Sequence, residues 1–266
     1  MERNCKPDGA GPVYLDWAAT APLSAAAAAA LAEAAAALAS GRFANPSSQH
    51  GPGRAARRAL QAARATLADV FATAPDEIIF TSGGTEALAL AIGGTAAPTL
   101  AAGATEHAAV HAAIHGAAPD AVIIPVDSDG RIEAGVLDRL LAAATAGALV
   151  AIQQANNETG VIQDIAALAD LVHHHGGRLL VDAVQSAGTM PLPPEADLVA
   201  VSAHKLGGPM GVGMLIARRR ARPQPVQRGG GQEGGTRGGT ENLPGILGFA
   251  AAMAARDAGF PAQARA

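Results

Sequence analysis

Apolar and polar positions along the chain change their rhythm near residue 77. Before it the pattern is helical. Ser24 to Leu38 is nearly all alanine, a strong helix former, and Arg54 to Phe71 reads as a second helix. From Glu77 onward, short apolar runs of strand length alternate with segments of helix length, the signature of βαβ units and a parallel sheet. The runs are 77–81 (EIIFT), 98–104, 121–126 (AVIIPV), 148–154, 178–182 (RLLVD), 197–201 (DLVAV) and 211–217 (GVGMLIA). Seven such strands predict a doubly wound α/β domain with a mostly parallel sheet. The stretch between 182 and 197 is too short for an ordinary crossover helix. Past Arg228 a glycine-dense loop, GGGQEGGTRGGTEN, precedes a final helical segment from about Gly245. Residues 1–12 (MERNCKPDGAGP) are polar, rich in Gly and Pro and aperiodic, so they are expected to be a flexible leader, with the folded domain spanning 13–258.

In open parallel sheets ligands bind at the carboxyl ends of the strands, and that edge can be read from the residues just past each run. Strand 77–81 leads into Ser82-Gly83-Gly84-Thr85, the second run into Glu106-His107, the fourth into Asn156-Asn157-Glu158, the fifth into Asp182 and Gln185, and the sixth into Ser202-Ala203-His204-Lys205. The Ser-Gly-Gly-Thr turn opens a helix, where free backbone N–H groups and the positive dipole end suit one phosphate. It lacks the spacing of a dinucleotide fingerprint or a P-loop. Lys205 comes after a strand among small residues, where burial would lower its pKa and leave an amine able to attack a carbonyl. Asp182 ends an apolar strand and should face a cation, for which a pyridinium nitrogen qualifies. Gln185 could hydrogen-bond a ring substituent, and His107 could stack on a ring face. Each feature alone has a structural reading: a tight connection, a solvated lysine, a satisfied histidine or glutamine. One bound cofactor accounts for all of them on one edge.

Composition narrows the picture further. Of 266 residues 49% are apolar and 16% charged, the net charge is −4, and no basic stripe offers a footprint for nucleic acid. A chain of this length can bury roughly three quarters of its unfolded surface. No apolar run approaches the ~18 residues of a membrane span, which with the lack of a basic-apolar leader points to a soluble cytoplasmic protein. Cys5 is the single cysteine, so no internal disulfide or cysteine metal cluster is expected. His173-His174-His175 precedes Gly176-Gly177 and reads as the C-terminus of a helix, where imidazoles favour the dipole, and not as a metal site.

At this point the blocks YLDWAATAP (14–22), NPSSQHGPGRAAR (45–57), FTSGGTEALALAI (80–92), TEHAAV (105–110), ANNETGVIQDI (155–165), VDAVQSAG (181–188), SAHKLGGPMGVG (202–213) and GGGQEGGTRGGTEN (229–242) resemble, in order, the class V aminotransferase-fold cysteine desulfurases. The resemblance covers about residues 13–250. It implies the three-layer α/β large domain of a pyridoxal 5′-phosphate-dependent transferase. It also implies that Lys205 carries the cofactor in Schiff-base linkage and moves protons. Asp182 would pair with the pyridine nitrogen, Gln185 and Asn157 would bond the ring oxygen or substrate carboxylate, and His107 would stack on the ring. Gly84, Thr85, Ser202 and His204 would hold the phosphate, and Thr240 would reach the phosphate of a neighbouring subunit. The implied protein is a homodimer that takes sulfur from L-cysteine, leaves alanine, and passes the sulfur to an acceptor or scaffold protein for iron–sulfur cluster assembly.

Three departures accompany the resemblance. Trp17 stands where the family often has asparagine, and Leu180 where a histidine commonly precedes the aspartate. The family's mobile loop with its persulfide-forming cysteine, and the arginine that grips the substrate carboxylate, belong to a C-terminal domain expected to be absent from these 266 residues. Cys5, in the leader, is not expected to replace that cysteine. The expectation is therefore a desulfurase incomplete for sulfur transfer. The alternatives are another class V enzyme, such as a selenocysteine lyase or an aminotransferase, and a non-catalytic cofactor-binding or scaffold protein.

Overall fold

The computed structural model describes residues 13–144, 147–218 and 221–256; the expected leader, with Cys5, lies outside them. Helix α1 (Ala25–Ala39) starts where the Ser24 hydroxyl accepts the Ala27 N–H, satisfying one of the donors a helix start leaves open. Helix α2 (Gly51–Val70) turns Ala56, Leu60, Ala63 and Leu67 inward at helical spacing. The alternating region then runs β1 (Ile78–Thr81), α3 (Gly84–Gly94), β2 (Leu100–Gly103), α4 (Ala108–Ala117), β3 (Val122–Ile124), α5 (Ala134–Ala143), β4 (Leu149–Gln153), α6 (Ile165–His174), β5 (Arg178–Asp182), β6 (Leu198–Ser202), β7 (Gly213–Ala217) and α7 (Leu243–Ala254).

All seven predicted strands form, in one sheet of order β1-β7-β6-β5-β4-β2-β3. Five neighbours from β6 through β3 are parallel, and β7 runs antiparallel to both β1 and β6. Strand side chains alternate between two apolar layers. Ile78, Phe80, Val150, Ile152, Val181, Val199 and Val201 pack with α2, α5, α6 and α7. Ile79, Leu149, Ala151, Leu180, Leu198 and Ala200 pack with α3 and α4. Strands covered on both faces need apolar residues at every position, which is why β4 and β6 read as continuous runs and not as alternation.

The 183–197 connection contains no helix and still joins parallel neighbours β5 and β6. The triple histidine closes α6 as expected, and two of its rings meet carboxylates: His173 bonds Asp197 and His175 bonds Asp138, both at 2.8 Å. Among the described residues no helix is long and apolar enough to cross a membrane.

Candidate active site

The carboxyl ends of β1, β4, β5 and β6 surround a cleft of about 250 Å³. Nine of the ten site residues expected from the sequence line it: Gly84, Thr85, His107, Asn157, Asp182, Gln185, Ser202, His204 and Lys205. Thr240, the tenth, is exposed and lines a separate small hollow beside Ser82 and Arg237. Gln153, at the end of β4, also borders the cleft and carried no mark in the sequence, since it looks like the last polar residue of an apolar run.

The turn between β1 and α3 forms a glycine-rich helix start of the kind that suits an anion. Gly83 precedes the first helical residue, Gly84, so the opening N–H groups of α3 face Ser202 and the cleft. Gly84 leaves space for Val184, whose Cγ2 would lie 2.6 Å from a Cβ at that position and would have to shift to admit one. The turn is braced from outside. Glu86 accepts the Ser82 N–H at 2.6 Å and both arms of the Arg237 guanidinium, at 2.7 and 3.2 Å. Burial alone would raise the Glu86 pKa, but Arg237 and Ser82 together hold it below its usual value.

On the floor, Asp182 is 8% exposed and is the one carboxylate lining the cleft among the described residues. Burial pushes its pKa up, opposed by the Val184 N–H, which donates to Oδ1 at 2.9 Å, and by the charges of His107 and Lys205. His107 caps α4: its Nδ1 accepts the Ala109 N–H at 3.1 Å, which leaves the neutral ring's proton on Nε2.

Lys205 sits in the 3-10 turn after β6. Burial lowers its pKa, and the charges of Asp16 and Asp182 partly restore it. Burial and the Lys205 charge lower that of neighbouring His204.

The segment around Trp17 reaches this site, which the sequence did not show. Lys205 Nζ and Gln185 Nε2 both donate to the Ala18 carbonyl, the latter at 3.0 Å. Thr20 Oγ1 lies 3.1 Å from His204 Nδ1, and the Ala21 N–H donates to the His204 carbonyl at 2.9 Å. Residues 16–21 therefore form one rim of the cleft. No periodic signal links residue 18 to residue 205, so only tertiary contact could reveal it.

The donor set fits the group inferred from the sequence. A helix N-terminus opened by two glycines suits a phosphate, a buried acid with spare acceptor capacity suits a protonated ring nitrogen, and a lysine with a lowered pKa suits a carbonyl. Comparison with known proteins agrees. The family described as Aminotransferase class-V matches residues 13–263. The chain is 44% identical over 220 residues to a cysteine desulfurase of Cereibacter sphaeroides, covering 78% of this chain and 56% of that protein. It therefore spans little more than half of that relative's length. Among solved structures, a NifS-like protein from Rickettsia africae superposes with a TM-score of 0.86 at 32% identity, covering 93% of this chain and 69% of that one. A structure described as SspA in complex with cysteine gives a TM-score of 0.81 at 30% identity over 91% and 72% of the two chains.

Proposed function

The chain belongs to the class-V aminotransferase family, and from that premise we propose that it binds pyridoxal 5′-phosphate through Lys205 and acts on L-cysteine as a cysteine desulfurase. The observation that carries the reading is the convergence of Lys205, Asp182, His107 and the Gly84 helix start on one cleft. The cysteine complex of the similar SspA structure and the name of the Cereibacter relative support the substrate.

Each residue has a role in this reading. The start of α3, with Thr85, Ser202 and His204, holds the phosphate. His107 covers one ring face, Asp182 keeps the ring nitrogen protonated, and Gln185 and Asn157 bond the ring oxygen or the substrate carboxylate. When bound, the cofactor supplies an electron sink for the pair left at the substrate Cα once its proton departs. Lys205 is the base that takes that proton, and burial lowers its pKa in the direction the task requires. The Ala18 carbonyl, which accepts from both Lys205 and Gln185, orients the two donors on the same rim.

Transfer of sulfur to a protein needs a thiolate, and the described residues contain none; Cys5 is the sequence's single cysteine. We place that thiolate, and the acceptor or scaffold protein that takes the sulfur, outside the described residues. A homodimer belongs to the same reading. It is supported by Thr240, which is exposed and outside its own cleft but close to the phosphate turn through Ser82.

Borohydride reduction of the protein with pyridoxal phosphate, then peptide mass mapping, tests the reading. A stable label on Lys205 is expected. A label on another lysine, or none on folded protein, would overturn it.

A further inference from the structure

Immediately before His107 in the chain is a buried carboxyl group to which the functional reading gives no task. Glu106 is 7% exposed. Its Oε1 accepts the backbone N–H of Gln153 at 2.9 Å, while Oε2 is buried with no hydrogen-bond partner among the described residues. No cation pairs with it there, and the charge that acts on it is the negative one of Asp182. An ionised carboxylate offers about four acceptor positions, and this one has a single donor in apolar surroundings. Burial, reinforced by Asp182, pushes the Glu106 pKa well above its usual value, and the Gln153 N–H only partly opposes this.

The placement of the group is specific. Gln153 pairs in register with Asp182 across β4 and β5, so the amide that Glu106 grips is next to the acid on the cleft floor. The turn carrying Glu106 is tied to the same strand end three more times. Gln153 Nε2 donates to the carbonyl and the hydroxyl of Thr105, at 2.7 and 3.2 Å, and Asn156 Nδ2 donates to the Thr105 carbonyl at 3.1 Å. Gly103 leaves room for the carboxyl, since a Cβ there would lie 2.8 Å from Oε1. Thr105, Glu106 and His107 are consecutive, so this lattice sets where the His107 ring sits.

We propose that Glu106 is a positioning residue of the cleft that works as a neutral, protonated acid, pinning the His107 turn to β4 without adding a second negative charge beside Asp182. An ionised Glu106 would place a second negative charge beside Asp182 and favour protonation of Asp182, which would weaken its hold on a ring-nitrogen proton. The neutral acid gives the same pin without that charge. The inference concerns the cofactor cleft and so rests on the proposed pyridoxal-phosphate function.

The test uses the full chain with Glu106→Gln, which copies the neutral acid in shape, and Glu106→Ala, which removes the pin. Infrared difference spectra at neutral pH should show a protonated-carboxyl band in the parent that Glu106→Gln lacks, with or without cofactor. Titration with pyridoxal phosphate, monitored by absorbance, should give Glu106→Gln an affinity within about twofold of the parent and Glu106→Ala one weaker by about tenfold or more. The pH midpoint of the lysine-linked absorbance band should match between parent and Glu106→Gln. A missing carboxyl band, a Gln variant as impaired as the Ala variant, or an Ala variant that binds like the parent would each overturn the proposal. If Glu106→Ala does not fold, the Gln variant's affinity and pH midpoint decide. A parent chain that takes up no cofactor defeats the functional reading instead, and the infrared band, together with hydrogen exchange at the Gln153 amide, still decides the state of Glu106.

Discussion

On the β1 side of the sheet, Glu233 is buried with both carboxylate oxygens engaged: Oε1 meets the Arg64 guanidinium at 2.7 Å, and Oε2 accepts the Phe80 N–H at 2.9 Å. Under the cleft, Asp182 and Glu106 are as well buried, yet each side chain accepts one backbone N–H and is paired with no cation among the described residues. Glu233 belongs to a closed assembly. Arg64 also donates to the Ile78 carbonyl at 2.6 Å and lies over the Phe80 ring, and Arg222 holds the Glu233 carbonyl at 2.9 Å. That assembly anchors the glycine loop, where Glu233 itself adopts a left-handed φ of 48°. The difference separates two uses of a buried acid. In the first, folding supplies the countercharge. In the second, folding supplies no countercharge and the fold bears the cost of desolvation; of the two acids, Asp182 opens onto the cleft and Glu106 does not.

Breaking the first region should have the largest effect on stability. Arg64→Ala strands the Glu233 carboxylate and should cost about 3–5 kcal/mol in urea unfolding, whereas replacing both partners by methionine should recover part of that loss, since the Phe80 N–H and the Ile78 carbonyl stay unpaired. If the double variant is no better than the single one, the pair is not a closed unit. Gly84→Ala should cost roughly 1–3 kcal/mol, because Val184 must move to admit the methyl group, and it should also weaken phosphate binding. Unchanged thermal stability and cofactor affinity would mean that the helix start is looser than its geometry implies.

Asp182→Ala should behave in the opposite way to Arg64→Ala. Stability at neutral pH should stay within about 1 kcal/mol of the parent, since an uncompensated buried acid is removed. Exchange of the substrate Cα proton, measured by NMR in deuterated water with pyridoxal phosphate, should be lost. A destabilisation as large as that of Arg64→Ala would erase the distinction between the regions.

The smallest effect is a pH dependence. With the folded pKa of Glu106 raised, the folded state holds a proton that the unfolded state releases once pH exceeds the ordinary glutamate range. Stability is therefore lost as pH rises from that range toward the folded pKa. Glu106→Gln cannot titrate. Its stability relative to the parent, from melting curves, should increase with pH across this window, by less than about 1.4 kcal/mol for each pH unit. A difference that does not vary with pH would place the Glu106 pKa back in its ordinary range.

Much of this could be read from the chain. Strand after strand ends in a polar residue because a parallel sheet buries its strands and opens its carboxyl edge, so Asp182, Lys205, His107 and the Ser82–Thr85 turn stand out against apolar runs. Gln153 did not stand out, because a glutamine closing an apolar run looks the same whether it borders a cleft or ends a strand. Glu106 appeared only as the residue before His107. Its isolation depends on what packs around it, and charge along a sequence says nothing of that. The rim at Ala18 could not be seen, because its contact with Lys205 is through a backbone carbonyl that every residue type carries.

Local chemistry and periodicity determined the elements, the α/β class and nearly all the residues of the cleft, because burial on both faces of a sheet leaves a mark at each position of each strand. Only the tertiary structure decided that β7 turns antiparallel, that residues 18–21 bond Lys205, Gln185 and His204, that Thr240 stands outside the cleft, and that Glu233 has a cation while Glu106 has none among the described residues. Those outcomes rest on contacts between residues far apart in the chain, and the free energy of a buried charge depends on the partners that such contacts bring within a few ångströms.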